Sequence, residues 1–471
     1  MRDLTLSSSD DTDVKFPHER EFLVRSGDGQ WPFDGLNLKD ATGHGWQPLP
    51  FTQFILKIHS RCNLNCHYCY VYNSLDAGWR RQPVSMNPET LALAGRRIAE
   101  HAERFGIAQV EVIFHGGEPL LAGPAGINTF AALLNRELGQ STKLMLGLQT
   151  NAVLLTEDIL HVLDRWDIKV GVSLDGTAPS HDRSRPYRNG EGSYLAAVRG
   201  TALLTSAPFR HLFSGLLCVA DLAADPVACY AALAAFRPPM VDFLLPHANW
   251  ADRPINPGTP YADWLIAIFD AWYEGAEQEV SVRLFADIIA LLLGRPSRSE
   301  SVGLSPATHL VIEANGDIEQ VDSLKTAYDG AAATGLNIRA DPLESALRHP
   351  LTIARQLGRG ALCPTCESCP LGMVCGGGHF AHRYRPGRGF LNPSAYGPTL
   401  ARLITHIGAR VYTDLGMDAA AAALRRHASG NNGGGRCARW TSTRLSKTSE
   451  RDARQRSRSA SWRLASWRSD S

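Results

Sequence analysis

Three cysteines, Cys62, Cys66 and Cys69, stand in the run Ser60-Arg61-Cys62-Asn63-Leu64-Asn65-Cys66-His67-Tyr68-Cys69-Tyr70. Three residues separate the first pair and two the second, so all three thiolates can turn inward on one tight loop. A closed tetrahedral zinc site takes four such ligands. Three suit a cubane iron–sulfur cluster whose remaining iron is open to an exchangeable ligand. An incomplete zinc site, or simple structural thiols, is the plainer alternative. A second group, Cys363, Cys366, Cys369 and Cys375, brings four more thiols close together in sequence. Four fit either a closed zinc site or a further cluster. Cys218, Cys229 and Cys437 stand alone, the first two in apolar or helical surroundings that mark core thiols.

The elements that must carry these groups alternate. An apolar run at 51–58 reads as a buried strand leading straight into the three-cysteine loop. Barrel enzymes place their chemistry at such strand C-termini. Further strand-like runs lie at 110–114, 143–148, 169–174, 213–220 and 240–245. Helical segments at 88–104, 126–138, 157–166, 193–204 and 226–235 separate them. Apolar strands alternating with helices predict a parallel sheet covered by helices, an α/β fold. Six strands are too few for a closed eight-fold barrel. Small polar residues end several of these strands: His115-Gly116-Gly117-Glu118-Pro119 the second, Gln149-Thr150-Asn151 the third, Ser173-Leu174-Asp175-Gly176 the fourth. Glycines there let a backbone approach a ligand closely, and carboxylates or carbonyls receive an ammonium.

After this core (51–250) the sequence predicts a helical linker (251–300) with helices at 261–273 and 285–293. A hairpin follows at 309–321, signalled by Asn315-Gly316 between alternating runs. A helix at 342–357 then leads into the second cysteine group, within a C-terminal unit spanning 301–415.

The chain has 471 residues, 44% hydrophobic and 20% charged, the composition of an ordinary globular protein. Its N-terminus (1–27) is expected to be disordered. Residues 1–13 are acidic and Ser-rich, unlike a secretory signal, and no stretch has the length of a membrane span, so the cytoplasm is the expected location with no membrane partner. Ten cysteines in a reducing compartment argue for metal or cluster ligation over disulfides. The net charge of +1 is uneven: residues 431–471 hold ten Lys/Arg against three Asp/Glu. We read 428–471 as a disordered basic tail. The rest of the chain is mildly acidic, so no nucleic-acid partner is expected.

The spacing of Cys62, Cys66 and Cys69, with aromatic Tyr68 before the last, resembles the signature of radical S-adenosylmethionine (SAM) enzymes. The glycine turn 116–119 resembles that family's Gly-Gly-Glu-Pro motif, and the second cysteine group a SPASM-type auxiliary domain. Several further stretches together resemble the FxsB-type group of radical SAM/SPASM peptide maturases. They are the lead-in at 28–50, Val241-Asp242-Phe243-Leu244-Leu245-Pro246-His247, Gln320-Val321-Asp322-Ser323-Leu324-Lys325, and Cys375-Gly376-Gly377-Gly378-His379-Phe380-Ala381-His382-Arg383-Tyr384-Arg385. The resemblance covers roughly residues 30–406.

It implies a partial (β/α)6 barrel with a SPASM-like C-terminal cluster domain. Cys62, Cys66 and Cys69 would hold a 4Fe–4S cluster whose open iron is chelated by SAM. Tyr68, Gly116, Gly117, Glu118, Pro119, Gln149, Asn151, Ser173, Asp175 and Leu245 would surround SAM. Cys363, Cys366, Cys369 and Cys375 would hold an auxiliary 4Fe–4S cluster. The family pattern places a cysteine after Asn392-Pro393-Ser394-x-Tyr396, where this chain has Gly397. Either Cys363 takes over as ligand, or the auxiliary cluster is altered or absent. The implied partners are a ribosomally synthesised precursor peptide and a flavodoxin- or ferredoxin-type electron donor. The implied reaction links an aromatic side chain to the β-carbon of a nearby residue, after SAM is cleaved to a 5′-deoxyadenosyl radical. The final proton needs a base near the barrel mouth, for which His247 and Asp221 are candidates. Thioether formation and side-chain oxidation are alternative reactions, and a non-catalytic peptide-binding relic is an alternative of another kind.

Overall fold

The computed structural model describes residues 46–139, 142–254, 259–275 and 280–430. The N-terminal 1–27 segment, residues 28–45 of the lead-in, Cys437 and the basic tail beyond 430 lie outside them. Residues 428–430 belong to a helix, Asp418–Gly430.

Six parallel strands form the centre: β1 (Gln53–His59), β2 (Gln109–Gly116), β3 (Lys143–Thr150), β4 (Lys169–Ser173), β5 (Phe213–Val219) and β6 (Met240–Leu244). They lie side by side in chain order, and each step between neighbours returns through one or two helices. The helix starts follow from local chemistry. Asn87 accepts the Thr90 N–H ahead of Pro88, Thr156 that of Ile159, and Asp225 that of Ala228 ahead of Pro226. Gly106, at φ 63°, closes the helix Pro88–Phe105. Phe54, Leu56, Ile58, Val110, Val112, Phe114, Val170, Val172 and Leu216 are buried, as an apolar sheet covered by helices requires. Cys218 and Cys229 are core thiols, their sulfurs 3.7 Å apart.

The sheet is longer than six strands. A two-residue strand, β7 (Ser281–Val282), adds in parallel to β6. It is too short to leave a periodic signal in the sequence. The Asn315-Gly316 hairpin forms as β8 (His309–Ile312) and β9 (Asp317–Glu319), and β8 pairs in parallel with β1. A further antiparallel strand, β10 (Ala333–Asn337), follows β9. The order is β10-β9-β8-β1-β2-β3-β4-β5-β6-β7, an open sheet of ten strands. The hairpin after the linker thus continues the core sheet.

One expected element is corrected. The single helix over 342–357 is two short helices, Glu344–Leu347 and Pro350–Gln356. Pro350 has no N–H to continue the first and holds His349 in an extended conformation (φ −65°, ψ 131°). The helices Pro260–Glu274 and Arg283–Leu292 form in the linker, and Gly397 opens the long helix Gly397–Asp414.

Candidate active site

The three-cysteine loop leaves the C-terminal end of β1 and is tied down on both sides. Asn65 N–H donates to Pro186 O (2.8 Å) and His67 N–H to Ser184 O (2.9 Å). The Arg61 guanidinium donates to the carbonyls of Ser60 (2.9 Å), Trp79 (3.3 Å) and Gln82 (3.1 Å). From the other side the glycine turn presses on it. Gly117 N–H donates to His59 O and Glu118 N–H to Arg61 O, both at 2.9 Å. Glycine is required here by space: a Cβ on Gly116 would strike the His59 carbonyl, and one on Gly117 the Tyr72 hydroxyl and Arg61 backbone.

Cys62, Cys66 and Cys69 line one cavity of about 170 Å³ together with Tyr68, Gly116, Gly117, Glu118, Gln149, Asn151, Ser173, Leu245 and His247. Burial pushes the Cys62 thiol up to about 12 and raises that of Cys66. Thiolates here therefore need a cation beside them. Glu118 is buried and its carboxylate is engaged, accepting from Leu120 N–H (3.0 Å), Thr150 Oγ1 (2.7 Å) and Asn151 N–H (2.9 Å). It ties the glycine turn to the end of β3. Asn151 Nδ2 in turn donates to Asn63 Oδ1 (2.8 Å), and Gln149 Nε2 to Ser173 Oγ (3.0 Å).

Two residues expected around SAM do not line this cavity. Pro119 is buried at the start of a short 3-10 turn, Pro119–Ala122. Asp175 is buried and accepts from the Tyr68 hydroxyl (2.6 Å) and Val219 N–H (3.1 Å). Its short side chain is spent behind Tyr68, so it orients that ring. The Tyr68 hydroxyl also accepts from Arg185 Nη1 (2.6 Å). Arg185 lines the cavity, and its Nε is buried with no hydrogen-bond partner among the described residues. Sequence reasoning missed Arg185, because it lies in irregular chain after the short helix Ala178–Ser184, where no periodicity points to it. Beyond Tyr68, Val219 and Pro246 lies a second cavity of about 400 Å³.

The two candidate bases separate. Asp221 lines that second cavity and is paired with Arg183, whose contact, with the Ala223 N–H and Ser180 hydroxyl, holds its carboxyl below the usual range despite burial. His247 lines the cysteine cavity, and burial lowers it to about 3, so it is neutral. Its Nδ1 lies 3.1 Å from His382 Nε2, and its ring 5.3 Å from that of Tyr70.

A buried charge group beside the site also escaped sequence reading. Lys57 of β1 is 2% exposed and pairs with Asp322. Lys325 contacts Glu313 (2.7 Å), Glu319 (2.8 Å) and Asp322 (3.2 Å). Burial raises Glu319 to about 8, while the two lysines hold Asp322 low. His115, on the cavity wall, lies 3.4 Å from Lys57 Nζ. The hairpin is thereby ion-paired to the centre of the sheet.

In the second cysteine group, Cys363 precedes the turn Pro364–Glu367 and Cys375 ends the turn Gly372–Cys375. A hydrogen bond from the Cys366 thiol lowers Cys363 to about 6, and burial pushes Cys375 up to about 11. Gly376, Gly377 and Gly378 all take positive φ (61°, 77°, 69°), and the buried Arg383 guanidinium donates to the Gly376 and Gly378 carbonyls. This backbone conformation strongly favours glycine, and a Cβ on Gly376 would also strike the Gly303 carbonyl.

Residues 56–219, which hold the end of β1, the cysteine loop and strands β2 to β5, match the Radical SAM superfamily. The chain is a radical SAM enzyme. It is 26% identical over 346 residues to the serine-type anaerobic sulfatase-maturating enzyme of Klebsiella aerogenes, covering 71% of this chain and 81% of that one. It is 25% identical over 331 residues to the cysteine-type anaerobic sulfatase-maturating enzyme of Clostridium novyi (strain NT), covering 66% and 84%. Its fold is similar to that of native anSMEcpe solved with bound AdoMet and Cp18Cys peptide, with a TM-score of 0.66, 21% identity, and 78% and 98% of the two chains covered. Radical SAM enzymes work with SAM and a 4Fe–4S cluster. The residues of this cavity fit both: three thiols that need a cation, glycine carbonyls at a strand end for an ammonium, and a buried guanidinium with an unpartnered nitrogen for a carboxylate. No helix among the described residues is long and apolar enough to cross a membrane.

Proposed function

We propose that this radical SAM enzyme modifies a side chain of a ribosomally made peptide, with Cys62, Cys66 and Cys69 as the cluster ligands. The observation that carries the reading is convergence. Three thiols, a two-glycine turn and the polar ends of β3 and β4 open on one cavity, although they lie up to 111 positions apart in sequence. A reduced cluster bound there would split SAM and supply a hydrogen-abstracting radical.

The chain's own residues do the rest. Gly116 and Gly117 leave room for the cysteine loop and offer carbonyls to the amino group of SAM, while Arg185 meets its carboxylate. Gln149, Asn151 and Ser173 give polar contacts along one wall, and Tyr68, oriented by Asp175, forms another. Leu245 and its apolar neighbours keep water away from the reacting carbon. Of the two candidate bases, His247 lines the cysteine cavity and Asp221 does not; burial keeps His247 neutral but, by lowering it to about 3, leaves it a weak proton acceptor. Cys363, Cys366, Cys369 and Cys375 would hold an auxiliary 4Fe–4S cluster, a suitable acceptor for the electron released when the product forms.

The reaction is aromatic crosslinking to a side-chain β-carbon, supported by the order of FxsB-like motifs. The likeness to sulfatase-maturating enzymes favours a second reading, oxidation of a side chain to an aldehyde. The test is anaerobic reconstitution, then incubation with SAM, a flavodoxin-type reductant and short peptides bearing an aromatic residue two positions from an aliphatic one. Crosslinking yields 5′-deoxyadenosine and a peptide lighter by two hydrogens that does not react with a hydrazide. A hydrazide-reactive product selects the second reading. SAM left intact by the fully reconstituted protein overturns both. About eight irons per chain are expected, against about four with zinc if the second group holds that metal.

A further inference from the structure

Behind the cysteine cavity lies a larger one of about 610 Å³, and the two share Leu244, Leu245 and His247. Three histidines meet at this junction. His247 follows β6, while His379 and His382 follow the triple glycine, 132 and 135 positions later. One imidazole nitrogen from each lies within 4.8 Å of the other two. His247 Nδ1 and His382 Nε2 are 3.1 Å apart, and the His379 ring centroid is 5.1 Å and 5.0 Å from theirs. Nitrogens on a tetrahedral zinc ion, with Zn–N bonds of about 2.0–2.1 Å, stand about 3.3 Å apart. The first pair already stands close to that spacing, and a nitrogen of the third lies within 4.8 Å of both.

We propose that His247, His379 and His382 bind one divalent transition-metal ion of the zinc class, with a fourth coordination position open to the larger cavity.

Three further observations support this. Burial keeps all three rings neutral, the protonation state in which imidazole is a ligand. The donor set is all imidazole, which suits zinc, copper, nickel or iron and not magnesium or calcium. A second close cluster, the carboxylates of Glu313, Glu319 and Asp322, already encloses the Lys325 ammonium, whereas among the described residues no ammonium or guanidinium is bonded within the histidine trio. The neighbouring Arg383 is spent on the Gly376 and Gly378 carbonyls, and Arg355 on Glu300. Three histidines with an open position are the arrangement of catalytic rather than structural zinc. An ion here would take the lone pair of His247 and put a bound water in its place, with a pKa near 7 in such sites.

The site does not depend on the radical SAM reading, and its failure would leave that reading intact. The test uses the full chain, reconstituted anaerobically with iron and sulfide, treated with a chelator and then given one equivalent of Zn²⁺. Zinc and iron are counted, and X-ray absorption at the zinc edge reports the ligands. The expected result is one zinc in a nitrogen/oxygen shell at about 2.0–2.1 Å with imidazole scattering. His379→Gln and His382→Gln should each weaken zinc binding at least tenfold with iron content unchanged. Zinc found on sulfur at about 2.3 Å, zinc that washes off the unaltered protein, or binding unmoved by the double variant would each overturn the proposal. Because the spectrum is read on the unaltered chain, a variant that misfolds, betrayed by lost iron, leaves the decision standing.

Discussion

Gly117→Ala is the sharpest test of how the cluster loop is held. The added Cβ would strike the Tyr72 hydroxyl and stand 2.5 Å from the Arg61 carbonyl carbon and oxygen. Ordinary contact begins near 3.4 Å, so the loop must retreat by roughly 1 Å. Tyr72 can swing, but Arg61 cannot follow freely: its guanidinium is fixed on three carbonyls and its own carbonyl on the Glu118 N–H. Overpacking of this kind costs about 1–3 kcal/mol. Since Cys62 is the next residue, the strain falls on the ligand loop and on the turn that faces SAM. We expect SAM affinity to fall about five- to hundredfold, with the iron of the second cysteine group retained. Equilibrium SAM binding, 5′-deoxyadenosine formation and iron counts measure this. Gly397→Ala is the control, because a Cβ there meets nothing within 4 Å. If Gly117→Ala binds SAM and turns it over as the unaltered enzyme does, the argument that glycine is required by space is wrong.

Three other outcomes are expected. Arg185→Met should raise the SAM dissociation constant about ten- to hundredfold, the loss of a charge-assisted hydrogen bond, with iron content unchanged; equal affinity would remove Arg185 from the site. Lys57→Met should destabilise the fold by about 3 kcal/mol in denaturant titration, the low end for a broken buried pair because Lys325 still faces Asp322; an unchanged midpoint would show that Lys57 contributes nothing net. Burial lowers His181 to about 3 and His349 to about 4, so the unfolded chain takes up their protons first as pH falls below 6.5. Stability should therefore drop between about pH 6.5 and 4 by about 1.4 kcal/mol per pH unit for each ring, and urea midpoints equal at pH 7 and pH 5 would contradict it.

The strand–helix alternation, the cysteine spacing and the hairpin at Asn315-Gly316 were legible in the sequence because each is a local pattern. Period, spacing and turn chemistry are written within a dozen residues. The six central strands accordingly lie where the apolar runs place them, within a few residues at their ends. The helix over 342–357 was misread for a local reason too: its apolar pattern is continuous, and Pro350 interrupts the backbone hydrogen bonding without interrupting the pattern.

What the sequence determined by itself is the chemistry on offer: two sets of thiols, a glycine turn and polar strand ends, on a parallel α/β sheet. Only the tertiary structure decided which of these groups meet. It brought Arg185 to the cavity and turned Asp175 away to hold Tyr68. It sent Asp221 to Arg183 and left His247 facing the cysteines. It paired β8 with β1, placed Lys57 on Asp322, and gathered His247, His379 and His382 from two distant segments. The physical reason is the same in each case. A side chain's partner and burial depend on which chain segments pack together, and contacts between segments dozens to hundreds of residues apart leave no periodic trace along the chain.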